Sequence, residues 1–298
     1  MIRKIIKQAN QAYTITLPIS WVRENNIDNN REIELEIQDK SIIIKNTKEI
    51  SLKKEEIKFN TKNRLLIKKK IQALYAKGID EIKINSSKDI EKIIIDILKS
   101  VIGYALVKSS DKEYIIKEIS GGNYSELDDI FKRVFQIVLS FYDSAIKDIF
   151  GKEIETMEGL NNRDREVNKF CLFLERAINK MSYSDQIKGR IMFTYSFSLE
   201  KIGDEIHRLW RTNIHKKFKK STQLKEILDL SKKGLELSFN FHYGVNSDIE
   251  EEIHRIKEKV RKDALKFKKT EEIEFVRHAI KIVEDAADLL HLSLMNKK

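Results

Sequence analysis

The sequence predicts an α+β fold that is mainly α-helical, and three patterns along its 298 residues lead to this prediction. Residues 1–47 alternate apolar and polar side chains in short runs, as β-strands do. Residues 50–119 alternate helical and strand-like segments, which predicts a small α/β module. Residues 124–298 repeat apolar side chains every three or four positions, which predicts a helical bundle. We therefore divide the chain into three domains at these boundaries.

The N-terminal domain is predicted to hold strands on either side of one short helix. YTITLP and REIELEIQDKSIIIKN are predicted strands, with turns at DNN and QDK, and ISWVRENNI is the predicted helix. Pro18 is the only proline of the chain. It suits a strand-to-helix corner, because its missing N–H costs no ladder bond there and its fixed φ suits a helix start. Trp21 would staple that helix to the strands. The apolar side chains of this domain are too few to bury much surface on their own. We therefore expect the domain to need a partner, most simply a second copy.

The middle domain is predicted to hold two helices and three strands. NRLLIKKKIQALYAKG is helical in pattern and ends at Gly78, a suitable residue after a helix. SKDIEKIIIDILKSVIG is predicted to start near Ser87 or Asp89 and to end at Gly103. DEIKIN is a predicted strand, and YALVKSS and EYIIKEI are predicted to form a hairpin about SDK. The segment SGGN, residues 120–123, reads as a linker.

The C-terminal domain is predicted to be a six-helix antiparallel bundle, made of two three-helix repeats in tandem. Its first helix is LDDIFKRVFQIVLSFYDSAIKDIF, in which the apolar residues keep a helical period. The five that follow are predicted at roughly 162–181, 185–218, 222–243, 247–268 and 271–295.

Composition and charge exclude several classes of protein. The net charge of +10 accompanies a bias typical of an AT-rich genome, so we discount it as evidence for DNA binding. Cys171 is the lone cysteine and lies at helical spacing among apolar residues, which predicts a buried side chain and a reducing, cytoplasmic setting. No apolar stretch is long enough for a signal peptide or a membrane span. Dispersed histidines and the lack of a nucleophile elbow or phosphate loop argue against an enzyme.

Residues 3–46 resemble the SpoVT–AbrB family of swapped-hairpin DNA-binding domains. The resemblance is carried by a basic start, the motif TLPISW and a final hairpin, with the family's turn glycine replaced within DNN, where Asn29 or Asn30 tolerates a left-handed φ. It implies a homodimer with interleaved hairpins that binds DNA. It also implies which residues face the DNA phosphates: Arg3, Lys4, Lys7 and Arg23. Residues 1–46 hold seven basic and six acidic side chains, so a dimerisation domain without DNA affinity is the alternative.

The bundle resembles the PhoU family of phosphate-signalling regulators. LEKIGDEIHRL at 199–209 resembles the family's signature helix, DREVNKFCLFLERAI at 164–178 its preceding acidic helix, and IVEDAADLLHL at 282–292 the second copy of the signature. The middle domain resembles the segment that joins an AbrB-like start to a PhoU bundle in archaeal proteins. The resemblance thus implies an archaeal-type regulator of phosphate uptake.

Two pairs of carboxylates in the bundle predict metal binding. Glu200 and Asp204 are four residues apart, as are Glu284 and Asp288, so each pair lies on one helix face. Oxygen-rich sites of this kind suit Mg²⁺, Mn²⁺ or iron.

The PhoU resemblance adds Asp164 and Asn168 to this candidate metal site, and Glu252 is the best guess in the second repeat. Two differences from the PhoU motif weaken the assignment of its metal ligands to this chain. Asn168 stands where the family usually has Asp, and Glu205 stands where the family often has His after the signature Asp. The alternative is that Glu200 and Asp204 are ordinary surface acids, paired with neighbours such as Lys201 and Arg208.

The favoured hypothesis is a DNA-binding transcriptional regulator whose bundle senses phosphate status. One rival is an adaptor that docks on a phosphate transporter subunit or a signalling protein such as a kinase, with the N-terminal domain only dimerising. The other is a metal-dependent enzyme that uses the carboxylate pairs. The stretch 207–225 is basic and has no acidic residue. It would bind phosphate groups, anionic lipid or DNA; the alternative is that its cations only interact favourably with the dipole at the C-terminal end of a helix.

Overall fold

The computed structural model describes ten stretches of the chain: residues 2–8, 12–27, 31–38, 41–46, 52–121, 127–151, 156–180, 186–215, 218–244 and 246–296. The chain forms two compact units, Met1–Leu52 and Lys53–Lys298. The predicted middle domain and bundle therefore share one unit. The mainly α-helical α+β fold class is confirmed.

The N-terminal unit contains two antiparallel strand pairs and one short helix. Strands β1 (Ile6–Gln8) and β2 (Ala12–Thr14) pair with each other, helix α1 spans Ile19–Glu24, and β3 (Ile33–Gln38) pairs with β4 (Ser41–Asn46). Pro18 precedes α1 with φ −60°, and its carbonyl accepts the first helical hydrogen bond, as the corner prediction requires. Asn29 and Asn30 lie outside the described residues.

The second unit begins with a four-stranded sheet and two helices. These elements are β5 (Lys54–Phe59), α2 (Arg64–Ala76), β6 (Glu81–Ser86), α3 (Glu91–Leu98), β7 (Tyr104–Ser110) and β8 (Glu113–Glu118). The strand order is β5-β6-β8-β7, with β5 parallel to β6 and the other pairs antiparallel. Asn63 caps α2 through its side chain. The sequence did not predict β5, an edge strand whose mostly charged sequence, KEEIKF, hides its alternation.

The six predicted bundle helices are all present. They are α4 (Leu127–Ile149), α5 (Met157–Lys180), α6 (Gln186–His215), α7 (Thr222–Tyr243), α8 (Ser247–Ala264) and α9 (Thr270–Met295). Their apolar stripes form one continuous core, which includes Cys171 as predicted. Helix α5 starts five residues before its predicted start, and α8 ends four residues before its predicted end.

A buried ion-pair network joins the sheet module to α5. Arg176 is 1% exposed, and its guanidinium donates to Asp80 at 2.9 Å, to the carbonyl of Tyr75 at 2.9 Å and to Glu118. Lys180 also contacts Asp80 and Glu118. Burial alone would raise the pKa of Glu118, but hydrogen bonds with Asp80, Arg176 and Lys180 outweigh it and lower this pKa to about 2. The network therefore fixes the sheet module on the bundle.

Candidate nucleic-acid interface and acidic site

The four predicted DNA-binding residues lie in the N-terminal unit. Arg3 and Lys4 precede β1, Lys7 lies in β1 opposite Tyr13 of β2, and Arg23 lies in the last turn of α1. All four side chains are exposed, and none forms an ion pair with another described residue. Cations that no carboxylate neutralises are available to phosphate groups.

The hairpin of β3 and β4 exposes an apolar face. Because Leu35 pairs with Ile44 and Ile37 with Ile42, these four side chains lie on the same face of the hairpin, with Ile33 beside them. Ile37 is 80% exposed and Ile42 is 64% exposed. Within the described residues of this unit only Ile27 is a buried apolar side chain. Two-stranded hairpins without a core are at best marginally stable, so this face requires a cover.

Helices α5 and α6 bring four of the six predicted metal-site residues together. Burial raises the pKa of Asp164. His207 acts to lower this pKa, and Asp204 acts to raise it further. Burial likewise raises the pKa of Glu200, with further contributions from Asp204 and Asp164. The amide of Asn168 donates to Asp164 over 3.5 Å. These acids therefore interact through space at the contact of the two helices.

The packing of α5 on α6 explains this proximity. A Cβ at Gly203 would approach Val167 Cγ1 to 2.9 Å, so the glycine of the signature helix lets α5 come close. Since Val167 lies between Asp164 and Asn168 on α5, and Gly203 lies next to Asp204 on α6, close packing here places the acidic positions side by side.

Some of these acids are paired with a neighbouring cation, as the surface-acid alternative expects, and others are not, as a metal site would require. Asp204 accepts from Arg208 at 2.8 Å, as the surface-pair alternative expects. Glu205 contacts Arg208 and, at 2.6 Å, His278. Glu200 has no ion pair with another described residue. Asp164 Oδ1 lies 3.7 Å from His207 and has no hydrogen-bond partner among the described residues.

The second repeat does not reproduce this arrangement. Glu284 accepts from Arg261 at 2.6 Å, and Asp288 is exposed on the same helix, α9. Glu252 is bound by Lys233 at 2.9 Å and by Arg255. The acids of this repeat are thus neutralised by neighbouring cations or open to solvent.

The residues present do not form a ready metal site. Among the described residues, no group of three or more His, Cys, Asp or Glu side chains is arranged to hold a metal ion. A divalent or iron site at Asp164, Asn168, Glu200 and Asp204 therefore stays a prediction.

Sequence reasoning missed a cavity of about 250 Å³ beside these acids, between α2, α5 and α6. Glu175 and Glu200 both line it, and burial followed by repulsion from Glu200 raises the pKa of Glu175 to about 7. A signal was present: Glu175 continues the stripe of Asp164, Asn168 and Cys171 along α5 at helical spacing. The contribution of α2 to this cavity left no trace in the sequence pattern.

Comparison with known proteins supports part of the sequence analysis. A family model described as antidote-toxin recognition MazE, bacterial antitoxin, matches residues 6–52. No curated protein was found to match the chain. No helix in the described stretches is both long and apolar enough to cross a membrane. The match ends before the bundle, so the PhoU resemblance stays a prediction. The N-terminal unit is thus similar to a MazE/AbrB-type regulatory domain, which indicates a non-catalytic regulator of the DNA-binding kind.

Proposed function

We propose that this protein is a DNA-binding transcriptional regulator of phosphate uptake. Its N-terminal unit would bind DNA as a homodimer, and its helical bundle would sense phosphate status. The observation that carries the proposal is the combination of exposed cations, which form no ion pair with another described residue, and an exposed apolar hairpin face in a unit similar to MazE/AbrB-type domains.

The apolar face supports dimerisation. A second copy would cover Leu35, Ile37 and Ile42 with the same side chains of its own hairpin, which supplies the core that one unit lacks. A symmetric dimer then presents two sets of Arg3, Lys4 and Lys7, and doubling the phosphate contacts strengthens binding and matches a two-fold operator.

The phosphate role is supported by the resemblance of residues 199–209 and 282–292 to the PhoU signature. For the bundle to regulate DNA binding, phosphate or a partner that reports it must bind one arrangement of the dimer more tightly than another. We therefore expect inorganic phosphate, or the transporter subunit that carries it, to change the affinity of the full chain for its operator.

Fluorescence anisotropy tests DNA binding directly. The probe is a duplex from upstream of the protein's own gene, titrated with full-length protein against excess random DNA at about 150 mM salt. We expect site-selective binding that the triple variant Arg3→Ala/Lys4→Ala/Lys7→Ala abolishes. Each phosphate contact contributes about 0.9 to the slope of log affinity against log salt, so that slope should also become shallower.

The matched control removes the same charge from the bundle. Lys259, Lys262 and Lys268 are exposed and form no ion pair with another described residue, so their triple alanine variant should bind DNA as the parent does. An equal loss of DNA affinity in both triple variants would mean that the affinity depends on net charge alone. It would contradict DNA recognition by the N-terminal unit. Adding inorganic phosphate to the same titration tests the sensing role.

A protein-binding adaptor is the second candidate function. The matching family model is described by recognition of a toxin, a protein partner, and an apolar face such as that of β3–β4 also suits a protein surface. Weak, unselective DNA binding that is indifferent to the triple variant, together with retention of a phosphate transporter subunit by the full chain, would favour this function.

A further inference from the structure

We propose that the cavity between α2, α5 and α6 binds a small organic cation that carries a primary ammonium or guanidinium group. The cavity lies entirely within the Lys53–Lys298 unit, so this inference does not depend on DNA binding. Its walls are formed by Lys68 and Gln72 of α2, by four residues of α5 and by two of α6, which together are Lys68, Gln72, Asn168, Cys171, Leu172, Glu175, Phe197 and Glu200.

Two carboxylates of this cavity have no hydrogen-bond or ion-pair partner among the described residues. Glu175 and Glu200 are half-buried carboxylates, and neither forms a hydrogen bond or ion pair with another described residue. Asn168 donates its amide to Asp164, while its Oδ1 is fully buried and has no hydrogen-bond partner among the described residues. The four oxygens of the two carboxylates are enough to accept the three N–H donors of an ammonium group.

Neither carboxylate of the cavity forms an ion pair with a described cation, although Lys68 lines the same cavity. Two nearby cations are engaged elsewhere: Arg208 pairs with Asp204 and Glu205, and Lys201 lies over the ring of Phe197. Repulsion from Glu200 adds to burial at Glu175. Lys68 lines the cavity without an ion pair to another described residue. Because unpaired charge costs free energy when buried, a bound cation would remove this cost.

The size and walls of the cavity favour an organic cation over a metal ion. A volume of about 250 Å³ holds several carbon and nitrogen atoms, far more than a bare ion. Leu172 and Phe197 offer apolar surface to a carbon chain. A divalent ion would gain nothing from these apolar walls.

Isothermal titration calorimetry of the full-length chain with 1,4-diaminobutane and with guanidinium-bearing arginine tests the proposal, with Mn²⁺ as the metal probe. We expect at least one organic cation to bind at pH 8. Glu175→Gln and Glu200→Gln should each weaken that binding by about tenfold or more. Glu158→Gln, an exposed glutamate on the same helix, should leave it unchanged. Lys68→Gln should strengthen it, because a like charge is removed.

The pH dependence gives a second readout. A cation binds the ionised form of Glu175, so affinity should rise as the pH increases through about 7, and Glu175→Gln should flatten this rise. Circular dichroism confirms that each variant is folded. Absence of binding by both organic probes at millimolar concentration overturns the proposal. So does binding that Glu175→Gln and Glu200→Gln leave intact, or binding of Mn²⁺ alone that depends on Glu200 and Asp204 but not on Glu175.

Discussion

Arg176 is the residue that holds the sheet module on the bundle. Removing it takes a bound cation from Asp80, which is 3% exposed, and from Glu118, and removes one hydrogen bond from each of the carbonyls of Tyr75 and Ile79. We expect Arg176→Met to lower the free energy of unfolding by about 3 to 5 kcal/mol, as breaking a buried ion pair does. Urea unfolding followed by circular dichroism measures the change.

Arg208→Met is the matched control for this variant. Arg208 also forms two ion pairs, with Asp204 and Glu205, but its side chain is 57% exposed. Its loss should cost about 1 kcal/mol or less. Equal costs for the two variants would show that burial of the Arg176 network contributes nothing.

Glu175 should make stability depend on pH in the direction opposite to most carboxylates. Its pKa is about 7 in the folded chain, above its ordinary value, so the folded state binds the proton more tightly. Its ionisation therefore destabilises the fold progressively as the pH rises from about 4.5 to 7. Without ligand, Glu175→Gln should raise the free energy of unfolding at pH 8 by about 2 kcal/mol, allowing for solvent screening, and leave it nearly unchanged at pH 4.5. Urea titrations at the two pH values decide this, and a gain of the same size at both would exclude the raised pKa as its cause.

At the scale of elements, the β3–β4 hairpin is expected to form the dimer interface. Ile37 lies at the centre of its apolar face, so Ile37→Lys would place a charge where the second copy must pack. We expect this variant to be monomeric in sedimentation equilibrium at concentrations where the parent is dimeric, and to lose DNA binding with it.

Glu34→Lys is the control for the hairpin, because Glu34 is exposed and points to the opposite face. It introduces the same side chain and should remain dimeric. If Glu34→Lys dissociates the dimer while Ile37→Lys does not, the interface lies on the other face of the hairpin.

The helices and strands differ in how well their sequence patterns predict them. The six bundle helices were predictable because long amphipathic periods leave few alternatives to a helix. Strand β5 was not, since its six residues KEEIKF contain one buried side chain, Phe59, and its pairing with β6 is non-local. The pairs Glu200/Asp204 and Glu284/Asp288 follow from helical spacing alone. The first pair lies beside Asp164 of α5, whereas Glu284 of the second is bound by Arg261 of α8, and helical spacing alone does not show this difference.

At the scale of the whole molecule, the two compact units are expected to separate in function. The fragment Lys53–Lys298 contains the sheet module, the bundle and the network that joins them. We expect it to unfold cooperatively at a temperature close to that of the full chain and to lose DNA binding completely. Differential scanning calorimetry measures the unfolding temperature of the fragment, and fluorescence anisotropy measures its DNA binding. A fragment that still binds the operator selectively would locate DNA recognition outside the N-terminal unit.

The contact between the sheet module and the bundle shows why the cavity escaped the sequence analysis. Its acids lie on α5 and α6, where helical spacing could be read, but Lys68 and Gln72 come from α2, about a hundred residues earlier. Arg176, near the end of α5, binds the sheet module and so holds α2 beside the acids. An arginine in the middle of an amphipathic pattern reads as a solvated side chain, and only the folded chain reveals it as a buried contact.

The uncovered hairpin face has a consequence for the life of the protein in the cell. If a second copy covers this face, as we propose, its covering is second-order, so each newly made chain exposes Leu35, Ile37 and Ile42 for a time that lengthens as the protein becomes scarcer. During that time the N-terminal unit would be open to proteases and to aggregation with other unfolded chains. We therefore expect the yield of intact protein to fall more than in proportion when its synthesis is reduced.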